Sequence, residues 1–134
     1  MKSKKNKTTQ KIVFASMSKV NFYWRENIIR FILESGHTPL SAFMMFSYFL
    51  LDTVDRKALI EANNDLVKLS DEIWVFGKIS SGVRAEIKVA ESLGMPIRFF
   101  SISENKATLS EGEIDMVQFT DRIQEIKKEE IEYE

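Results

Sequence analysis

The sequence predicts an α/β protein, a three-layer sandwich with helices on both faces of a mostly parallel sheet of four or five strands. Three observations carry this. Short apolar runs alternate with longer stretches of helical periodicity, the pattern of a parallel sheet built through helical crossovers. The clearest unit is Glu72-Ile-Trp-Val-Phe-Gly77, a helix opening at Ser80-Ser81-Gly82 and stopped by Gly94-Met95-Pro96, then Ile97-Arg-Phe-Phe100. It spans about 30 residues, the size of one strand–helix–strand crossover. Finally, 134 residues with 44% apolar and 29% charged side chains suit one domain with a core of its own.

The elements follow in order. Residues 1–10 form a basic tail, expected to be disordered, and 11–134 form the single domain. Ile12-Val-Phe-Ala15 is a short apolar strand, central in the sheet, and Ser16-Met17-Ser18 is the loop after it. A helix is predicted from Asn21 to Ser35, with Trp24, Ile28, Phe31 and Ile32 at helical spacing and Gly36 as its C-terminal cap. His37-Thr-Pro-Leu40 reads as a brief strand at a sheet edge, where proline is tolerated. Asp52-Thr-Val-Asp55 is a helix N-cap signal, and the helix runs on to Leu69. After Phe100 the chain turns polar, with a short edge strand expected around Ala107-Thr-Leu109. A closing helix from Thr120 to Ile131 is predicted from Ile123, Ile126 and Ile131.

Composition excludes several functions. A net charge of −1 argues against binding nucleic acid through a basic face, and the absence of cysteine removes disulfides and thiolate metal sites. The single histidine, His37, cannot build a multi-histidine metal site and is expected to be solvated or capping. No run of 18 apolar residues is present, so no membrane span is expected and a cytoplasmic location is. No metal and no cofactor are expected.

Two acidic residues break the helical pattern. At about 100° per residue, Glu86 falls between Leu93 and Ala90 in the middle of its helix's apolar arc. On the preceding helix, Asp65 falls between Val54 and Ala58 inside the arc that also holds Leu59, Ala62, Leu66 and Leu69. A carboxylate facing a core is costly unless it is paired or opens on a cleft. In an open α/β sheet that cleft lies at the carboxyl ends of the strands, where helices begin. Either the helix is rotated and Glu86 rims the surface, or both acids serve one site. Ser80, Ser81 and Gly82 read as a plain N-cap or as a phosphate site. Phe43-Met-Met-Phe-Ser-Tyr-Phe-Leu-Leu51 is either core or a flap whose aromatic faces stack on a nucleobase.

Glu86 lies six residues beyond Ser80, roughly 9 Å along a helix axis, which approximates the reach from a 5′-phosphate to the anomeric carbon. A carboxylate there could attack the sugar and expel the base, with Asp65 protonating the base or orienting the sugar. Asn64-Asp65-Leu66, Asp71-Glu-Ile-Trp-Val-Phe-Gly77, Ser80-Ser-Gly-Val-Arg-Ala-Glu86 and Gly94-Met-Pro-Ile97 resemble the nucleoside 2-deoxyribosyltransferase superfamily over residues 11–101. The resemblance implies a flavodoxin-like, Rossmann-like fold, Glu86 as nucleophile and Asp65 assisting at the base. Ser80 stands where the transferase branch has an aspartate. The branch of 2′-deoxynucleoside 5′-phosphate N-hydrolases has a phosphate-binding serine there, so the resemblance implies hydrolysis of a nucleoside monophosphate more than base exchange. Ser16, Met17, Phe43, Phe46, Tyr48 and Asn64 are then expected around sugar and base. The partners implied are a small nucleotide and a second copy of the chain, as homodimer or larger assembly. A nucleotide-binding module without turnover, or an interaction protein docking through its aromatic stretch, are the other readings.

Overall fold

A computed structural model describes residues 8–46, 53–103 and 122–134. The strands are β1 (Ile12–Met17), β2 (Thr38–Leu40), β3 (Glu72–Phe76), β4 (Ile97–Ile102) and β5 (Ile123–Ile126). The helices are α1 (Arg25–Glu34), α2 (Ala42–Met45), α3 (Arg56–Leu69) and α4 (Ser81–Ser92). They form one sheet in the order β2-β1-β3-β4-β5, in which β1 to β4 are parallel and β5 is antiparallel to β4.

This order has a functional consequence. The chain steps from β1 to β2 in one direction and from β2 to β3 and β4 in the other. Right-handed crossovers then put α1 on one face and α3 and α4 on the opposite one. The switch point lies between β1 and β3, paired from Val13↔Glu72 to Met17↔Phe76. Beside that point, at the carboxyl ends of the strands, open sheets of this kind have their crevice.

Both faces of the sheet are covered, so its strands are apolar nearly throughout. Val13, Ala15, Met17, Trp74, Phe76 and Phe100 pack against Ile28 and Ile32 of α1. Phe14, Ile73, Val75 and Phe99 pack against Val67 of α3 and Val83 and Ala90 of α4. Alternation along β1 sends Ser16 to the same side as Phe14, the α3–α4 side. At the end of β3, Gly77 has φ +80° and a β-carbon there would meet Asn21 Nδ2 at 2.6 Å. Glycine is required at this turn for both reasons.

The structure corrects several expectations. The predicted first helix is a 3₁₀ turn over Lys19–Trp24 followed by α1, with Ser18 capping the turn through Val20 N–H. His37 is half-buried rather than freely solvated, its ring packing edge-on against Trp74 at 5.3 Å between centroids, while its backbone N–H helps close α1 by donating to Ile32 C=O at 3.2 Å. The predicted closing helix is a strand, β5, with a 3₁₀ turn over Lys128–Glu130. Ile123 and Ile126, three apart, would share a helix face. In a strand they point to opposite faces, and here each finds its own core, Ile123 on the α1 side and Ile126 on the α3–α4 side. The pairing with β4 also forms a bidentate bridge, Arg98 donating to Glu125 at 2.8 and 2.7 Å. The edge strand expected at 107–109 and most of the basic tail lie outside the described residues. Among the described residues no helix is long and apolar enough to cross a membrane.

Candidate functional site

A cavity of about 440 Å³ opens on the α3–α4 side of the sheet, beside the carboxyl half of β1. Its floor is Phe14, Ala15 and Met17. One wall is Arg56, Leu59, Ile60, Asn63 and Asn64 of α3, and another is Ser81, Gly82, Ala85 and Glu86 of α4. Ala42, Phe43 and Phe46 supply an apolar side, and Lys19 completes the lining.

Glu86 is the polar centre of this cavity. The stripe of α4 that faces the sheet is Val83, Glu86, Ile87 and Ala90, so the carboxylate stands where an aliphatic side chain would fill the core. It is held from two sides. Ser16 of β1, fully buried, donates its hydroxyl to Glu86 Oε1. Asn63 of α3 donates its amide Nδ2 to Oε2 at 2.6 Å. Each oxygen thus has one neutral donor, and among the described residues no cation pairs with the charge. Burial pushes the Glu86 carboxyl up to about 7, and the Ser16 and Asn63 hydrogen bonds restrain the rise. At neutral pH the group is shared between its ionised and protonated forms. It can act as a nucleophile in one and as a proton donor in the other.

The second acid is elsewhere. Asp65 is exposed and does not line the cavity, and the residue of α3 that meets Glu86 is Asn63. The error has a physical source. Val54 lies before α3 begins, because Asp55 is the N-cap, accepting from Ala58 N–H at 3.3 Å. Leu69, at the other end, is 64% exposed. These two residues weighted the apolar arc toward Asp65, whereas the packed face is Leu59, Asn63, Leu66 and Val67. The true face is turned by roughly 100°, one residue position.

Other predicted residues divide. Met17, Phe43, Phe46, Asn64, Ser81 and Gly82 line the cavity. Ser16 reaches Glu86 without lining it. The Ser80 hydroxyl accepts from Val83 N–H at 3.3 Å as the N-cap of α4 and does not line the cavity. Tyr48 lies outside the described residues. Sequence reasoning missed Asn63, Lys19 and Arg56. Asn63 sits at helical spacing from Leu59, Leu66 and Val67, a polar residue on the true packed face. Lys19 directly follows the first strand's loop, and Arg56 directly follows the Asp55 cap. Among the described residues no cluster of three His, Asp or Glu side chains is placed to hold a metal ion.

Residues 13–100 match the family described as a domain of unknown function, DUF7768. The chain belongs to that family. The DUF7768 fold is also found in a 2-deoxyribosyltransferase from the psychrotolerant bacterium Bacillus psychrosaccharolyticus. The two structures share a TM-score of 0.52 over 83% of this chain and 81% of that one, at 18% sequence identity. No curated protein matches the sequence. The shared fold accords with the sheet order, and the cavity of this DUF7768 domain occupies the crevice that such sheets use for ligands.

Proposed function

We propose that this protein is an N-glycosidase that cleaves the bond between base and sugar in a (deoxy)nucleoside or its 5′-monophosphate, with Glu86 as nucleophile. The observation that supports it most is the Glu86 carboxylate, half-buried in the wall of a substrate-sized cavity and held by Ser16 and Asn63 with no cation beside it among the described residues. The volume falls within the usual range for small-molecule sites. A base would lie against Phe43 and Phe46, and Asn64 is available to the sugar.

In the first step a Glu86 oxygen bonds to the anomeric carbon. The carbon–nitrogen bond breaks, its electron pair stays on the base nitrogen, and the base takes a proton from water. In the second step water attacks the anomeric carbon, Glu86 leaves as carboxylate, and the water's proton passes to solvent. A second base in place of water would give base exchange. With Asp65 exposed, protonation of the base falls to water rather than to an aspartate.

The role assigned to Glu86 fixes the sign of the pH dependence. The nucleophile is the ionised form, so the rate rises with pH through about 7. A proton donor would give a falling rate over the same interval. The test is to incubate the protein with nucleosides and their 5′-monophosphates and follow free base by chromatography. Wild type releases base, and Glu86→Gln releases it slower by about 10³-fold or more. Equal rates would remove Glu86 from the chemistry. The exposure of Asp65 favours a second reading, a nucleotide-binding module without turnover. It predicts saturable nucleotide binding and no base released.

A further inference from the structure

The cavity carries charge at its rim that the reaction at Glu86 does not use. Lys19 and Arg56 both line it, the first just beyond β1 and the second opening α3. Neither forms an ion pair with a described residue. Among the described residues Glu86 is the only acidic side chain in the lining, and it lies deeper than the exposed Lys19 and Arg56. The depth follows from the helices. Both α3 and α4 begin at the rim and run down past the sheet. Asn63 is seven residues below Arg56, and Glu86 is five below Ser81. At 1.5 Å per residue these are descents of about 10 and 8 Å. The cavity is therefore polarised along its axis, with two exposed cations toward the mouth and the half-buried carboxylate further in along its wall. An apolar side containing Phe43 and Phe46 connects the two.

From this polarity we infer that Lys19 and Arg56 form an anion subsite at the mouth, which selects a phosphate monoester of the substrate over the neutral, unphosphorylated form. This assignment rests on the cavity being the substrate site proposed above. It narrows that proposal to one substrate class and moves the phosphate contacts. Ser80, the serine expected to hold phosphate, caps α4 by accepting from Val83 N–H and does not line the cavity. The cations take that task instead. Guanidinium suits a phosphate as a forked donor and ammonium as a point charge. A phosphoryl group at the rim, with the sugar below it, places the anomeric carbon toward Glu86.

Binding alone tests this, independently of turnover. The probes are ribose 5-phosphate, ribose, the four deoxynucleoside 5′-monophosphates and the four deoxynucleosides, titrated by calorimetry at low salt. Glu86→Gln keeps any substrate intact during the titration. The expected result is that at least one phosphorylated probe binds ten-fold or more tighter than its unphosphorylated counterpart. That preference falls about ten-fold with Lys19→Ala or Arg56→Ala and vanishes with both, since a charge-assisted hydrogen bond is worth roughly one decade or more. Arg56→Lys restores part of it, and added salt erodes it because the two cations are exposed. Circular dichroism checks that each variant is folded, and both positions are on the surface. Equal affinity for phosphorylated and unphosphorylated probes, a preference that survives the double substitution, or no binding of any phosphorylated probe would each overturn the subsite. The two proposals fail separately. Base release from nucleosides without phosphate preference keeps Glu86 and removes the subsite. Phosphate preference without base release does the reverse.

Discussion

Replacing Glu86 by glutamine turns the half-buried carboxylate into a thermodynamic measurement. In the folded protein the group titrates at about 7, against a reference of 4.5. Between those values the unfolded chain has lost the proton and the folded chain still holds it, so folding binds a proton and stability falls as pH rises. The loss is complete above the folded value. Its size is the difference of 2.5 between the two values, at 1.36 kcal/mol each, or about 3 kcal/mol. Glutamine carries no charge and fits the same partners. Its carbonyl can accept from Asn63, and its amide can donate to the Ser16 hydroxyl, which rotates to accept. The variant and wild type are therefore expected to be about equally stable near pH 4, and the variant about 3 kcal/mol more stable near pH 8. At roughly 3–5 °C per kcal/mol for a chain of this size, the gap in Tm is about 10–15 °C. The assay is urea unfolding of both proteins across this range, read as the difference at each pH. Glu72 and Glu125, whose carboxyls lie below the usual range, lose stabilisation as pH falls, but they do so in both proteins and cancel. For Glu72, burial pushes upward and is outweighed by hydrogen bonds from Trp74 and Lys11. Parallel curves, with a difference that does not change with pH, would refute a half-buried carboxylate without a counter-charge.

Three other outcomes are expected. Asn63→Ala or Ser16→Ala removes one of the two donors to Glu86 while leaving it half-buried, so its titration moves upward by about one pH unit, measurable by NMR of the labelled carboxyl. Asp65→Asn leaves ligand binding unchanged and shifts stability by no more than about 0.5 kcal/mol in urea unfolding, as its exposure requires. Gly77→Ala forces a side chain into φ +80° and against Asn21, which lowers stability by roughly 2 kcal/mol and is read from Tm.

The layered fold and the place of Glu86 were legible in the sequence because each depends on short-range pattern. Strands buried on both faces of a parallel sheet are apolar nearly throughout, and β1 and β3 are such runs, broken by Ser16 and Glu72 alone. The helix of Glu86 is marked at both ends, by the Ser80 cap and by Gly94 in the left-handed conformation, so its wheel covers the right residues. A wheel for the preceding helix that starts at Val54, two residues before α3 begins, turns its face toward Asp65. A wheel is only as good as its ends. Tertiary structure alone decided the rest. Which residue of α3 meets Glu86 is set by how that helix packs on β1, and the spacing of Asn63 from Leu59, Leu66 and Val67 marks its face only once the ends of the helix are known. Whether Ile123 and Ile126 share a face depends on whether an open edge of β4 is there to be paired. Lys19 and Arg56, 37 positions apart, become one rim only because β1 and α3 end and begin at the same side of the switch point. Local periodicity fixes what a segment can bury, while the partner that buries it is a property of the assembled sheet.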